Sequence, residues 1–172
     1  MSLVPNLRPP RLVIQWLARF EDTCRLRKIR LTPQRRAVFE ALASDTGHPT
    51  VEEIHLRLKK NWPSLPLPTV YRIAEDLISL NLIRRVASGN GPLRLDANME
   101  PHQHLVCRVC GWMEDWRDPR WAQTPLPSLL SRGFVAEEYD VRISGLCRSC
   151  ADKKVERVKS YRGEKNENKH RN

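Results

Sequence analysis

The sequence has no long apolar run. Its stretches Leu12 to Ile14 and Trp16 to Ala18 are split by Gln15, well short of the roughly 18 to 20 apolar residues that cross a bilayer, so a membrane-spanning helix is excluded. Arg8 and Arg11 precede this segment, but it ends at Arg19 with no small-residue cleavage site. That argues against a secretory signal and for residence in the cytoplasm. Acidic residues are in deficit: 20 Asp and Glu stand against 30 Lys and Arg, a net charge of +10, which favours polyanionic partners. Cysteine is scarce and odd in number; with five in the chain, at least one has no partner within it, so a fully paired disulfide framework is excluded. No internal repeat of useful length is present.

The 172 residues suffice for one full domain or two small ones. Charge divides the chain. Residues 1 to 90 carry 15 basic and 8 acidic side chains (+7), residues 91 to 150 carry 7 and 8 (−1), and residues 151 to 172 carry 8 and 4 (+4). A basic first half is thus followed by a near-neutral second half and a basic tail. The organisation this predicts is an unstructured lead-in over 1 to 10, a first domain and hinge over 11 to 96, a second domain over 97 to 160, and a disordered basic tail over 161 to 172.

Helical periodicity begins at Arg11. Val13, Leu17, Phe20 and Cys24 fall on one helix face, which makes Cys24 a small core residue. Thr32 before Pro33 marks a second helix with Val38, Phe39 and Leu42 inward, and Thr50 with Glu53 forms a capping box for a third carrying Val51, Ile54 and Leu58. Gly47-His48-Pro49 is the loop between them. The proline-rich stretch from Trp62 delays the fourth helix to about Pro68; it runs to about Leu80 with Val70, Ile73, Ala74 and Leu77 inward and Thr69, Tyr71 and Arg72 exposed at its start. Strands at Leu82 to Val86 and Leu93 to Leu95 flank the turn Ser88-Gly89-Asn90-Gly91. Short helices followed by a hairpin, all in the basic half, describe a winged helix-turn-helix. Beyond it, strands are expected at His102 to Val106, Trp112 to Trp116 and Phe134 to Ser144, and helices at Leu126 to Arg132 and after Cys150, so the fold class is α+β.

Two Cys-x-x-Cys units, Cys107/Cys110 and Cys147/Cys150, carry the strongest chemical signal. Four thiolates close the tetrahedral shell of a structural zinc and leave no open position to activate water. A redox dithiol needs one such unit, not two matched ones. His102 and His104 share a strand face that Cys107, at odd spacing, does not, so they serve a different centre. Asp96, six residues upstream, and Asp115, five residues after Cys110, can add oxygen ligands to it, and His48 from the first half can complete it. A mixed nitrogen and oxygen shell suits iron(II), manganese(II) or zinc. His55, beside the Val51 stripe, reads as ordinary packing.

Five segments, Leu31-Thr32-Pro33-Gln34-Arg35, His48-Pro49-Thr50, Thr69-Val70-Tyr71-Arg72, His102 through Gly111 and Gly145 through Cys150, resemble the ferric uptake regulator family of bacterial metal-dependent transcription factors. The resemblance implies an N-terminal winged helix joined to a small α/β dimerisation domain with a structural zinc, and a homodimer that binds palindromic operator DNA when a regulatory metal is present. It implies that His48, Asp96, His102, His104 and Asp115 hold that metal, iron(II) or manganese(II) with zinc as a further candidate. Asp115, where iron sensors tend to carry Glu, leans toward the peroxide-responsive branch. A third metal site found in some relatives is expected to be absent, because Pro101 and Tyr139 stand where it needs histidines. Lys28 and Asn81 stand where the family usually has glycine in two turns.

The resulting expectation is a repressor. Thr69, Tyr71 and Arg72 enter the major groove while Arg25, Arg27, Lys28 and Arg35 neutralise phosphates. Peroxide is sensed when iron at the regulatory site oxidises His48 or His102; the rival is an iron- or zinc-responsive repressor without that chemistry. A metallohydrolase built on His102, His104 and an aspartate lacks a positioned general base and leaves the +7 of the first half unexplained. A zinc-stabilised interaction module without DNA affinity is the third class. No small organic substrate is implied.

Overall fold

The computed structural model describes residues 7–86, 92–119 and 140–154. Four helices come first: α1 (Pro10–Leu26), α2 (Pro33–Ser44), α3 (Val51–Leu58) and α4 (Leu67–Ser79). Each starts where local chemistry demands. Thr32 caps α2 by accepting from the Arg35 N–H, and Thr50 and Glu53 exchange both bonds of a capping box at α3. Helix α4 begins one residue before the proline that opens it, with Pro66 at the N-cap, because φ of a proline is already helical. The faces buried on α1 and α4 are those that the periodicity predicts: Val13, Leu17, Phe20 and Cys24 on the first, Val70, Ile73, Ala74 and Leu77 on the second.

The four helices share one core. Phe20 of α1 stacks on Phe39 of α2 with ring centroids 4.6 Å apart, and Ile54, Val70 and Leu77 are fully enclosed around them. Strands β1 (Arg84–Val86) and β2 (Arg94–Asp96) follow as an antiparallel pair with Arg84 opposite Asp96. Leu95 on β2 turns into the helical core, which sets the wing against the helices. These elements make a winged helix-turn-helix unit.

A second sheet has the order β4-β3-β5, with β3 (Gln103–Cys107) antiparallel to β4 (Met113–Trp116) and parallel to β5 (Arg142–Gly145). Parallel neighbours require a crossover connection; its residues 120 to 139 lie outside the described ones, as do the helix expected at Leu126 to Arg132 and the first part of the strand expected from Phe134. Residues 148 to 154 are helical. The wing turn Ser88 to Gly91, Tyr139 and the tail over 161 to 172 are likewise outside the described residues. Val86, Val106 and Met113 form a small second core that joins the wing to this sheet.

Two turns carry positive φ at non-glycine residues in the way the motif comparison suggests. Lys28 (φ 56°) closes α1: its N–H bonds the Arg25 carbonyl and the Ile29 N–H bonds the Cys24 carbonyl. Asn81 (φ 53°) closes α4 identically through the Ile78 and Leu77 carbonyls. Both are Schellman caps whose left-handed position favours glycine.

One expectation fails at its edge. Residues 7 to 10 do not form an unattached lead-in: Leu7 bridges Asp45, the Arg8 N–H bonds the Ser44 carbonyl at 2.8 Å, Arg8 is buried, and Pro10 is already in α1. Arg8 has partners to bury against, and composition alone does not show them.

Candidate metal centres and nucleic-acid surface

The cysteine group forms at the end of the second sheet. Cys107 closes β3, Gly111 turns the chain back at φ 71° with its N–H on the Cys107 carbonyl, and Cys147 begins the final helical segment where the Ala151 N–H meets its carbonyl. The four sulfurs lie within 4.8 Å of one another. Burial alone would raise the Cys107 thiol, but N–H groups of Cys147, Cys110 and Val109 aimed at its sulfur bring it down to about 6. Hydrogen bonding to Cys147 and burial push Cys150 up to about 12. Four crowded thiols ionise together only with a cation among them, so the donor set fits a tetrahedral zinc.

The histidine group lies between the two units of the fold. His48 comes from the loop between α2 and α3, Asp96 from the end of β2, His102 and His104 from β3 and the residue before it, and Asp115 from β4, opposite His104 in register. Donor atoms of His48, Asp96, His102 and His104 all lie within 4.8 Å of one another, and all four residues are buried. Asp115 Oδ1 joins them, 2.7 Å from His48 Nε2 and 3.3 Å from His102 Nε2. Glu114 is on the opposite face, paired with Leu105 and exposed, so strand alternation selects the aspartate.

The electrostatics of this pocket are unsettled without a cation. Nε2 of His102 and Nε2 of His104 face each other at 3.0 Å, and although His48 Nε2 and Asp115 Oδ1 are close, neither finds a hydrogen-bond partner. Buried polar atoms left in this state are costly. Burial would raise the carboxyls of Asp96 and Asp115. Close contacts with His102 and, respectively, His104 and His48 outweigh it and hold both far below the carboxylate range. Burial would likewise lower His102, and its contacts with Asp115 and Asp96 instead raise it to about 9. Three imidazoles and two ionised carboxylates converging on one point fit a divalent ion with borderline ligand preference.

Side chains behind the ligands fix their orientation. His104 Nδ1 lies 3.2 Å from Asp140 Oδ1, and His102 Nδ1 donates to the Glu100 carbonyl at 2.7 Å. Asn98 donates from its backbone to Asp96 Oδ1 at 2.7 Å and from its side chain to Asp115 Oδ2 at 3.0 Å. Sequence reasoning missed Asn98 and Asp140, and also Arg8 and Arg84, which ion-pair with the two aspartates. Only Arg84 had a readable signal: it stands opposite Asp96 in a hairpin whose strands were expected. His48 itself is in the left-handed region at φ 53°, its carbonyl held by Arg94 at 2.9 Å. His55 takes no part, as its place beside the Val51 stripe implies; its Nε2 bonds the Leu65 carbonyl at 2.8 Å. Cys24 is enclosed in the helical core, where burial raises its thiol.

The residues expected to meet DNA are distributed as follows. Arg25, Arg27 and Lys28 are exposed at the end of α1, Arg25 paired with Asp22 at 2.9 Å. Tyr71 and Arg72 are exposed and Thr69 half-buried within the first two turns of α4. The Tyr71 hydroxyl donates to Glu52 on α3. Arg35 differs from the rest, since its guanidinium is largely covered and pairs with Asp76 of α4 at 2.6 Å, which braces α2 against α4.

Among the described residues no helix is long and apolar enough to cross a membrane. Solved structures with the same fold include the ferric uptake regulator Fur of Helicobacter pylori (TM-score 0.67, 21% identity, 81% of this chain and 93% of that one). A zinc uptake regulator complexed with zinc and DNA is also similar (TM-score 0.61, 23% identity, 83% and 97%). The peroxide-responsive repressor PerR of Staphylococcus aureus is 29% identical over 125 residues, 73% of this chain and 84% of the relative. The profile of the ferric uptake regulator family matches residues 27–144, most of the chain. The protein therefore belongs to the ferric uptake regulator family, whose members are metal-responsive transcriptional regulators and not enzymes.

Proposed function

We propose that this protein is a cytoplasmic, homodimeric repressor that binds operator DNA under control of a divalent ion held by His48, Asp96, His102, His104 and Asp115. Cys107, Cys110, Cys147 and Cys150 hold a structural zinc that shapes the second unit. The observation that carries the reading is the origin of the ligands. His48 belongs to the helical, basic unit and His102, His104 and Asp115 to the second sheet, so one ion ties the two units into a fixed relation. Its binding favours the DNA-competent arrangement by the difference in affinity between arrangements.

The residues divide the work. Tyr71, Arg72 and Thr69 face the major groove from the first two turns of α4, and Arg25, Arg27 and Lys28 contact phosphate at the end of α1. Arg35 acts indirectly by holding α4 through Asp76. Exposed Val109, Trp112, Trp116 and Ile143 on the second unit supply apolar surface for the partner subunit. Iron(II) or manganese(II) would be the regulatory ion held by these five residues, with zinc able to take the same donors; bound iron would supply one-electron chemistry toward peroxide, the oxidant and source of the oxygen added to His48 or His102. Asp115 at the last ligand position and the likeness to PerR support the peroxide reading.

The test is selection of bound sequences from a random duplex library with manganese(II), followed by titration of the selected DNA with iron(II), manganese(II) and zinc, with and without peroxide. Metal-dependent binding that peroxide abolishes only in the iron form, with one added oxygen on the His48 or His102 peptide by mass spectrometry, is the expected result. Metal-dependent binding without added oxygen assigns the iron- or zinc-responsive alternative. Binding unaffected by every metal overturns both.

A further inference from the structure

We infer that Arg8 is an internal cation of the regulatory site, which competes with the divalent ion, so that metal binding and docking of the N-terminal segment oppose each other. The inference rests on the assignment of the five-ligand site above. Arg8 sits two residues before α1, and its side chain is almost completely covered. Nη2 lies 3.5 Å from Asp96 Oδ1 and Nη1 3.4 Å from Asp115 Oδ2, with side-chain exposure of only 7%. Nε donates to the Asp45 carbonyl at 3.2 Å, three residues before His48, and the guanidinium lies 4.8 Å from the centroid of the Trp16 ring. A buried arginine therefore touches both carboxylates proposed to hold the metal and the loop that carries the remote histidine.

Charge decides what it does there. Asp96 and Asp115 bring two negative charges, and Arg8 with Arg84, 3.2 Å from Asp96 Oδ2, brings two positive ones. These two carboxylates and two guanidiniums already cancel, and a divalent ion adds positive charge that must repel a guanidinium across a poorly screened interior. Arg84 is fixed in β1. Arg8 is the more movable one, because it precedes α1 and lies in no strand ladder, its backbone tied by the single Ser44 bond beside the isolated bridge of Leu7 to Asp45.

A positioning role is the rival, and the distances argue against it. Charge-assisted bonds that orient a carboxylate run at about 2.7 to 2.9 Å, commonly as a two-pronged fork to one group. Arg8 instead makes one long contact to each aspartate, while Asn98 already fixes both at 2.7 and 3.0 Å. What Arg8 adds is mainly charge. Reciprocity then requires that if Arg8 weakens metal binding by some factor, metal weakens the docking of Arg8 by the same factor.

The experiment uses the full chain with its cysteine site loaded with zinc. Free manganese(II) is followed by electron paramagnetic resonance in wild type, Arg8→Gln and Arg8→Lys, and amide exchange of the segment from Leu7 is measured in wild type with and without manganese(II). Arg8→Gln is expected to bind manganese(II) about tenfold tighter, within the usual range of coupling between sites, and Arg8→Lys to stay near wild type because it keeps the charge. The Arg8 amide should exchange faster when metal is bound. Unchanged or weaker binding in Arg8→Gln, tightening in Arg8→Lys equal to that in Arg8→Gln, or slower or unaltered exchange of the Arg8 amide each overturns the inference. Absence of manganese(II) binding in all three proteins overturns it together with the five-ligand assignment, whereas binding without tightening overturns the inference alone.

Discussion

His48 Nε2 and Asp115 Oδ1 lie 2.7 Å apart, one on the loop between α2 and α3 and the other on β4. They are the shortest link between the units at the proposed regulatory site. His48→Ala removes the donor that the helical part contributes and leaves Asp96 at the end of β2 and the three donors on and beside the second sheet in place. The protein should still bind manganese(II), more weakly, but the gain in DNA affinity on adding metal, commonly 5- to 150-fold for coupled sites, should fall to about 1. Anisotropy titration of labelled duplex with and without manganese(II) measures it, and a retained metal effect would assign the coupling elsewhere.

The cysteine site should matter differently. The helical unit has a continuous core around Phe20, Phe39, Ile54 and Leu77, whereas the second unit has, among the described residues, only Val106 and Met113 clustered with Val86 of the wing. Structural zinc contributes roughly 10 to 16 kcal/mol of apparent binding energy in small domains, enough to decide whether so small a core folds. Cys150→Ser or prolonged chelation should raise amide exchange throughout β3 and β5 while α1 to α4 stay protected. Uniform loss of protection would show that the two units unfold as one.

Much of this architecture is legible in the sequence because the signals are local. Thr32 and Thr50 announce their helices from the position just before each begins, and alternation along β3 separates His102 and His104 from Cys107 without knowledge of the sheet. Lys28 and Asn81 stand out through the family resemblance alone, as the residues where relatives usually carry glycine, and both take the positive φ that a glycine cap favours. What is not legible depends on distant partners. Arg8 finds Asp45 and Asp115, 37 and 107 residues away, and Arg35 finds Asp76, 41 residues away. In a lead-in with several prolines nothing local distinguishes a buried arginine from a solvated one, and an arginine in a basic half reads as a phosphate contact until its acidic partner is seen.

Lys28 supplies a stability prediction. A side chain in the left-handed region costs about 1 to 2 kcal/mol relative to glycine, and glycine returns part of that through the entropy of the unfolded chain. Lys28→Gly should therefore stabilise the protein by about 1 kcal/mol, roughly 2 to 4 °C in Tm for a chain of this size. Asn81→Gly should gain less, because asparagine tolerates φ near 53°. Lys28→Ala keeps the Cβ and should gain nothing. Since Lys28 is also proposed to meet phosphate, Lys28→Gly should weaken DNA binding and reduce its salt dependence as it raises Tm.

Glu52 is an acidic residue bonded to the proposed reading surface, and its role follows from Tyr71. The Tyr71 hydroxyl donates to Glu52, which lowers the carboxyl and raises the phenol. A carboxyl lowered in the folded state favours that state above its ordinary range and loses the advantage only as pH falls through the acid region, so at neutral pH the contact is intact and Glu52 is charged. That charge holds Tyr71 on α3 and repels phosphate. Glu52→Gln removes the charge but keeps an acceptor for the hydroxyl. Because both residues are exposed, the gain is that of a surface charge, about 0.2 to 1 kcal/mol, or up to roughly fivefold in DNA affinity. It should appear on every duplex tested, since a phosphate effect carries no sequence information. Tyr71→Phe, in contrast, should change the preference among selected sequences. A Glu52→Gln gain confined to one sequence would instead mean that Glu52 reads bases through Tyr71.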